Sequence, residues 1–235
     1  MCGRFTLTYR NRQELADELG VDVGDIPLST YKARFNIAPT DPHYIVRLRL
    51  EDRELLEAKW GLVNFWAKDA KRAAAQINAR AESIDTSGAF KEAFAQRRCV
   101  VPADGFFEWV TQGKERHPIW FHRPDGQLIL FAGLYESWQP TPGNYQRTFT
   151  IITTTPNHIV EPVHNRMPVI LPEDMVDAWL DPKQEDLARL KSYLAPVPDD
   201  YLIPTPVSQR VNSVKNDDPD CLTPADAPPE SPRLL

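Results

Sequence analysis

Alternating apolar and polar residues recur along this chain only in short stretches, each stopped by proline, glycine or a charged turn. With 22 prolines in 235 residues, that punctuation favours many short strands and few helices. Strands are expected over 3–9, 44–50, 55–60, 99–101, 106–110, 117–122, 128–135 and 146–154. Glu51-Asp52-Arg53 would turn a hairpin between the second and third of these, and Pro124-Asp125-Gly126 one between 117–122 and 128–135. Asn11 and Glu14 have capping-box spacing ahead of a helix over 12–19, which Gly20 would stop. Phe90 and Phe94, four apart, suggest a helix over 88–97, and helices over 172–180 and 182–194 each open with proline. Residues 21–43 read as loop, and 34–40 within them look too polar and irregular for a core element. The expectation is an α+β chain with a curled, barrel-like, mainly antiparallel β core and peripheral helices. No internal linker is visible, so one domain is expected over 1–222. A proline-rich acidic tail over 223–235 is expected to be disordered.

Composition narrows the class. A net charge of −6 argues against non-specific nucleic-acid binding over the whole surface, while leaving room for a local basic groove. Three cysteines, Cys2, Cys99 and Cys221, have no metal spacing and suit a reducing compartment. No metal or other cofactor is expected. Without a signal-like or membrane-length apolar run, the chain reads as a soluble protein of the cytoplasm or nucleoid.

The candidate chemistry begins at Met1-Cys2-Gly3-Arg4-Phe5. If Met1 is removed, Cys2 carries an amine and a thiol on adjacent carbons, titrating near ~8 and ~8.5 when unperturbed. The amine can form an imine with an aldehyde, and the thiol can then close a five-membered thiazolidine. The alternative is a chance cysteine on a frayed terminus. Glu108, in Phe106-Phe107-Glu108-Trp109, would be a proton carrier if desolvated among the aromatics, and inert if the alternation turns it to water. His164, in His164-Asn165-Arg166-Met167-Pro168, titrates near neutrality in a polar loop; His43, His117, His122 and His158 have no suggestive company. Asn36 and Asn78 could orient a carbonyl or hydroxyl. Arg4, Arg34, Arg80 and Arg166 could fork onto phosphates. Trp60, Phe65 and Trp66 could stack on unpaired bases, although Trp60 reads better as core.

Arg34-Phe35-Asn36-Ile37-Ala38-Pro39-Thr40, Trp60-Gly61-Leu62, Asn78-Ala79-Arg80-Ala81-Glu82, the run from Arg98 through Asp104-Gly105-Phe106-Phe107-Glu108-Trp109, Phe131-Ala132-Gly133-Leu134, His164-Asn165-Arg166-Met167-Pro168 and Val207-Ser208 through Val211-Asn212 follow that opening. In order and spelling the chain resembles the SRAP family (SOS-response-associated peptidase, or abasic-site processing, proteins) over roughly 1–222. The resemblance implies binding to single-stranded DNA and a covalent thiazolidine crosslink to abasic sites, at replication forks and as a monomer. It also implies autopeptidase and AP-lyase-like activity. Cys2 would be the nucleophile, Asn78 would orient the opened sugar, and Glu108 and His164 would handle protons. Gly3, Arg4, Asn36, Trp66, Arg80, Thr153 and Arg166 would contact the DNA. Three positions depart from the family pattern: Asn64 where proline is usual, Asn165 where aspartate is common, and Pro156 where alanine is common. The competing readings are an N-terminal-nucleophile amidotransferase, which also begins Met-Cys-Gly, and a single-strand binding module without chemistry.

Overall fold

The computed structural model describes residues 2–26, 31–71 and 73–226. Five strands close on themselves in the order β10 (Asn144–Thr154), β4 (Asp52–Trp60), β3 (Pro42–Arg49), β6 (Arg98–Ala103), β9 (Ile129–Thr141) and back to β10. Only the β10–β4 pairing in this ring is parallel, so the barrel is mixed. Closure satisfies the edge groups that an open sheet would expose. The β3–β4 hairpin runs in unbroken register from Pro42↔Lys59 to Arg49↔Asp52, its turn passing through Leu50 at φ 60. A second sheet has the order β12 (Ile203–Pro206), β8 (Glu115–His122), β7 (Gly105–Gln112), β1 (Phe5–Leu7), β2 (Arg34–Ile37).

The sheet packs its aromatic face onto the barrel. Phe5 is the hub, with ring centroids 4.8 Å from His43, 5.0 Å from Trp60 and 5.9 Å from Phe131; Phe106 sits 6.1 Å from Phe131. Trp60 is therefore core, as its context suggested. The chain passes from barrel to sheet at Asp104, whose buried carboxylate accepts from Thr6 Oγ1 at 2.5 Å and from Thr8 N and Oγ1 at 2.5 and 2.6 Å. Gly105 follows because a Cβ there would lie 2.1 Å from the Trp120 indole nitrogen.

Several expectations change. Residues 34–37 form the edge strand β2. A bulge lets Ile37 pair with Phe5 while Arg34 pairs with Leu7, and this irregularity made the segment look unlike core. Pro124-Asp125-Gly126 does not join a hairpin: β8 pairs with β7 and β12, whereas β9 pairs with β6 and β10. The turn instead carries the chain from sheet to barrel. The helix expected over 182–194 is confined to α4 (Leu187–Ser192), because Asp181 and Gln184 side chains bind the amides of Lys183 and Asp186, and Asp186 caps the helix through Arg189 N at 2.9 Å. α1 (Arg12–Leu19) is capped by Asn11 and ends on Gly20 at φ 64, as expected. α2 (Lys91–Gln96) and α3 (Glu173–Leu180) meet at the buried Arg98, whose guanidinium donates to the carbonyls of Phe94, Ala95 and Trp179, and to that of Asp181 just beyond α3. Near the C-terminus, Pro224 bridges Val207 and Ala225 N donates to Pro206 O at 3.0 Å. The tail expected to be disordered otherwise falls at 227–235, outside the described residues. No helix among the described residues is long and apolar enough to cross a membrane.

Candidate active site and strand-binding surface

Two strand ends converge on the first residues of the chain. On one side β1 pairs with β7, Phe5 opposite Phe106, and Phe107 N donates to Arg4 O at 3.0 Å. Carrying that register one step on brings Gly3 opposite Glu108. Glu108 alternates onto the face of Phe106, toward the barrel, and is 4% exposed. The water-facing alternative for this residue is thereby excluded. Burial lifts its carboxyl to about 7, while positive charge nearby, Arg116 included, pulls it back down. Cys2 is fully buried; burial pushes its thiol far above the ordinary value, and the Glu108 charge adds to the rise. The Cys2 thiol is thus held protonated at neutral pH beside a carboxyl poised to gain or lose a proton.

On the other side β5 (Asn78–Arg80) lies parallel to the end of β10, with Ile151 opposite Asn78 and Thr153 opposite Arg80. β10 reaches β5 because Gly61, at φ 122, turns the chain away just after β4; a Cβ there would meet Ala73 O at 2.6 Å. Asn78 Nδ2 donates to Cys2 O at 2.8 Å. Its Oδ1 is buried and has no hydrogen-bond partner among the described residues. β11 (Met167–Pro168) pairs with Thr153 and Thr154, which fixes the loop ahead of it. In that loop His164 Nδ1 lies 3.0 Å from Arg166 N and 3.2 Å from Arg166 O, so the backbone of Arg166 holds the ring in place. Burial lowers the His164 pKa, which keeps the ring neutral at physiological pH.

The arginines divide by partner. Arg166 makes a two-pronged pair with Glu82 and donates to Thr153 O at 2.6 Å. Arg80 is exposed beside it, with no ion-pair partner among the described residues. Arg4 donates to Asn36 Oδ1 at 2.6 Å and to Val211 O at 2.9 Å. Asn36 is not at the surface: it is 1% exposed, and its Nδ2 is shared among the carbonyls of Val211, Ser213 and Asn216. It holds Arg4 and the C-terminal segment together. Asp217 reinforces this clasp, binding the Arg34 guanidinium and the amides of Phe35 and Asn36. Neither Glu82 nor Asp217 stands out by residue type; Glu82 could have been suspected from its place at the end of the Asn78–Arg80 motif.

Trp66 and Phe65 are exposed on a loop that is itself tied down. Asn64 Nδ2 donates to Ala89 O at 2.6 Å, Val63 N to Thr148 Oγ1 at 2.9 Å, and Trp138 Nε1 to Ala67 O at 2.7 Å. Asn64 supplies with a buried hydrogen bond the rigidity that a proline would give at that position. Of the other histidines, His43 is buried with its ring 2.8 Å from Pro102 O, and burial drops its pKa to about 3. Cys99 and Cys221 are buried thiols.

A model of the family described as SOS response associated peptidase (SRAP) matches residues 1–214. The chain is 37% identical over 223 residues to abasic site processing protein YoqW of Bacillus subtilis, covering 94% of this chain and 99% of that protein. It is 31% identical over 201 residues to abasic site processing protein HMCES of Gallus gallus, covering 74% of this chain and 58% of that longer protein. A solved protein from Bacteroides thetaiotaomicron superposes with a TM-score of 0.84 at 25% identity, over 95% of this chain and all of that one. The family match across nearly the whole chain, with identities well above chance at both distances, means that this chain belongs to the SRAP family.

Proposed function

We propose that this chain binds single-stranded DNA carrying an abasic site and captures the ring-opened aldehyde covalently through Cys2, once Met1 has been removed. The observation that carries this reading is the buried Glu108 carboxyl, lifted to about 7 and coupled electrostatically to the Cys2 thiol. A carboxyl that titrates at working pH exchanges protons with least driving force in either direction. The names of the relatives, abasic site processing proteins, supply the substrate class.

The chemistry follows from the two nucleophiles. The Cys2 thiol is held neutral by burial, so the amine adds to the aldehyde first. Glu108 takes the amine proton and hands it on to the oxygen that departs as water when the imine forms, and the His164 ring hydrogen-bonds to that oxygen. The thiol then adds across the carbon–nitrogen double bond; its sulfur bonds to carbon and its proton ends on nitrogen, closing a thiazolidine. Asn78 orients the sugar through its unpartnered Oδ1 while its Nδ2 fixes the Cys2 carbonyl. Removal of Met1 would draw on the same groups.

Denaturing electrophoresis after incubation with an abasic oligonucleotide tests this. The expected product has the summed mass of the protein without Met1 and the DNA, less one water, and forms faster on single-stranded than on duplex substrate. Cys2→Ala keeps the amine and should give only a Schiff base, trappable with borohydride, together with strand nicking by β-elimination. A stable unreduced crosslink in Cys2→Ala, or full activity with the amine acetylated, would overturn the thiazolidine route.

A further inference from the structure

The outer face of β7 carries an arrangement that the proposed chemistry does not use. Trp109 follows Glu108 and so points away from the barrel, onto the face shared with Arg4 and Phe107. Arg116 joins it there, because Thr111 pairs with Arg116 and Trp109 with Pro118. The Arg116 guanidinium carbon lies 4.7 Å from the Trp109 ring centroid and that of Arg4 lies 5.8 Å from it. The indole is itself pinned: its Nε1 donates to Asn212 Oδ1 at 2.6 Å, and Asn212 Nδ2 donates to Arg116 O at 2.9 Å.

Two guanidinium groups on one indole repel each other, whereas several other arginines of this chain meet carboxylates. Arg34 meets Asp41 and Asp217, Arg166 meets Glu82, and Arg210 meets Asp218. Arg4 and Arg116 meet no carboxylate among the described residues. Arg4 is bound to neutral oxygens, which aim it without cancelling its charge. Arg116 is exposed and rests on the indole, which orients a guanidinium and leaves its N–H groups outward. The Arg116 charge is also felt at the candidate chemistry, where it acts on Glu108, and at Arg4.

We infer that Arg116, set on Trp109 beside Arg4, is a further phosphodiester-binding residue that extends the strand contact expected of Arg4 outward along β7. The inference rests on the single-strand reading above. In it, Arg116 is a binding residue and Asn212 a positioning residue.

The test is fluorescence-anisotropy titration of an intact single-stranded oligonucleotide across a range of salt, with wild type, Arg116→Lys, Arg116→Ala and Arg116→Glu. Covalent capture of an abasic oligonucleotide at saturating protein is measured in parallel. Loss of one phosphate contact should flatten the slope of log K against log salt by about 0.7 and weaken binding several-fold at low salt. Arg116→Glu should weaken binding further, and Arg116→Lys, which keeps the charge but loses the planar stack, should fall between wild type and Arg116→Ala. Thermal unfolding midpoints should be unchanged, since Arg116 is exposed. An unaltered slope and affinity in Arg116→Ala and Arg116→Glu, with wild-type capture intact, would overturn the Arg116 contact alone. Absence of any wild-type binding or capture would overturn the single-strand reading and the Arg116 contact with it.

Discussion

Glu136 and Glu108 are both buried strand carboxylates, and they differ in what surrounds them. Glu136, on β9 of the barrel, is 1% exposed and faces the Arg97 guanidinium at 3.0 Å. Burial raises its pKa and Arg97 pulls it back. Glu108, at the edge where the second sheet meets the chain's start, is as well hidden and is lifted to about 7. Desolvation acts on both, but only the barrel residue has an arginine in direct contact. A buried carboxylate anchored by an arginine is committed to that pairing, whereas one lifted to about 7 keeps a proton in play near neutral pH.

The sharpest way to break this contrast is by rate. Glu108→Gln should slow covalent capture on the order of 10²–10⁴-fold, the usual range for general acid–base groups, while non-covalent binding to the oligonucleotide survives. His164→Ala should act in the same direction. Loss of binding in parallel, or a rate unchanged in gel time courses, would place Glu108 with Glu136 as a structural group.

A smaller effect concerns stability against pH. The folded state keeps the Glu108 proton up to about pH 7, whereas the unfolded chain gives it up near the ordinary 4.5. The stabilisation is therefore complete below pH 4.5 and is lost as pH rises to 7, amounting to on the order of 3 kcal/mol. Denaturant midpoints of wild type should fall across that window, and those of Glu108→Gln should fall less. Parallel profiles for the two proteins would count against a carboxyl held neutral by burial.

The smallest effect is expected from Glu136→Gln. It leaves Arg97 without its nearest counter-charge and should cost about 2 kcal/mol, less than a fully buried pair because Arg97 is partly exposed. Capture measured well below the unfolding midpoint should keep its wild-type rate. A slowed rate there would link barrel and site in a way the separate surroundings do not suggest.

Much of this was legible in the residues. The alternation and charged turn of β3–β4, the Asn11 cap and the Gly20 stop of α1 are local signals, and the structure realises them locally. The motif residues Cys2, Asn78, Glu108 and His164 could be singled out by type and order. Their surroundings could not. Glu108 reads equally well as exposed or buried from its own strand, because alternation specifies that it opposes Phe107 without saying which face meets the barrel. Asn36 looked like a ligand-facing amide, yet it is consumed by three carbonyls from residues 211–216.

What the sequence by itself determined is therefore the inventory: short strands, their turns, a candidate nucleophile at the start and the candidate proton carriers in order. Local hydrogen bonding and side-chain periodicity act over a few residues, so a few residues suffice to express them. Tertiary structure alone decided the partners. The turn at Pro124-Asp125-Gly126 looks like a hairpin but separates two sheets, since strand pairing is settled by which faces bury most apolar area across the whole chain. The same long-range packing put Glu108 out of reach of water and left Arg4 and Arg116 without a contacting carboxylate among the described residues; desolvation and charge placement are properties of a neighbourhood assembled from distant segments.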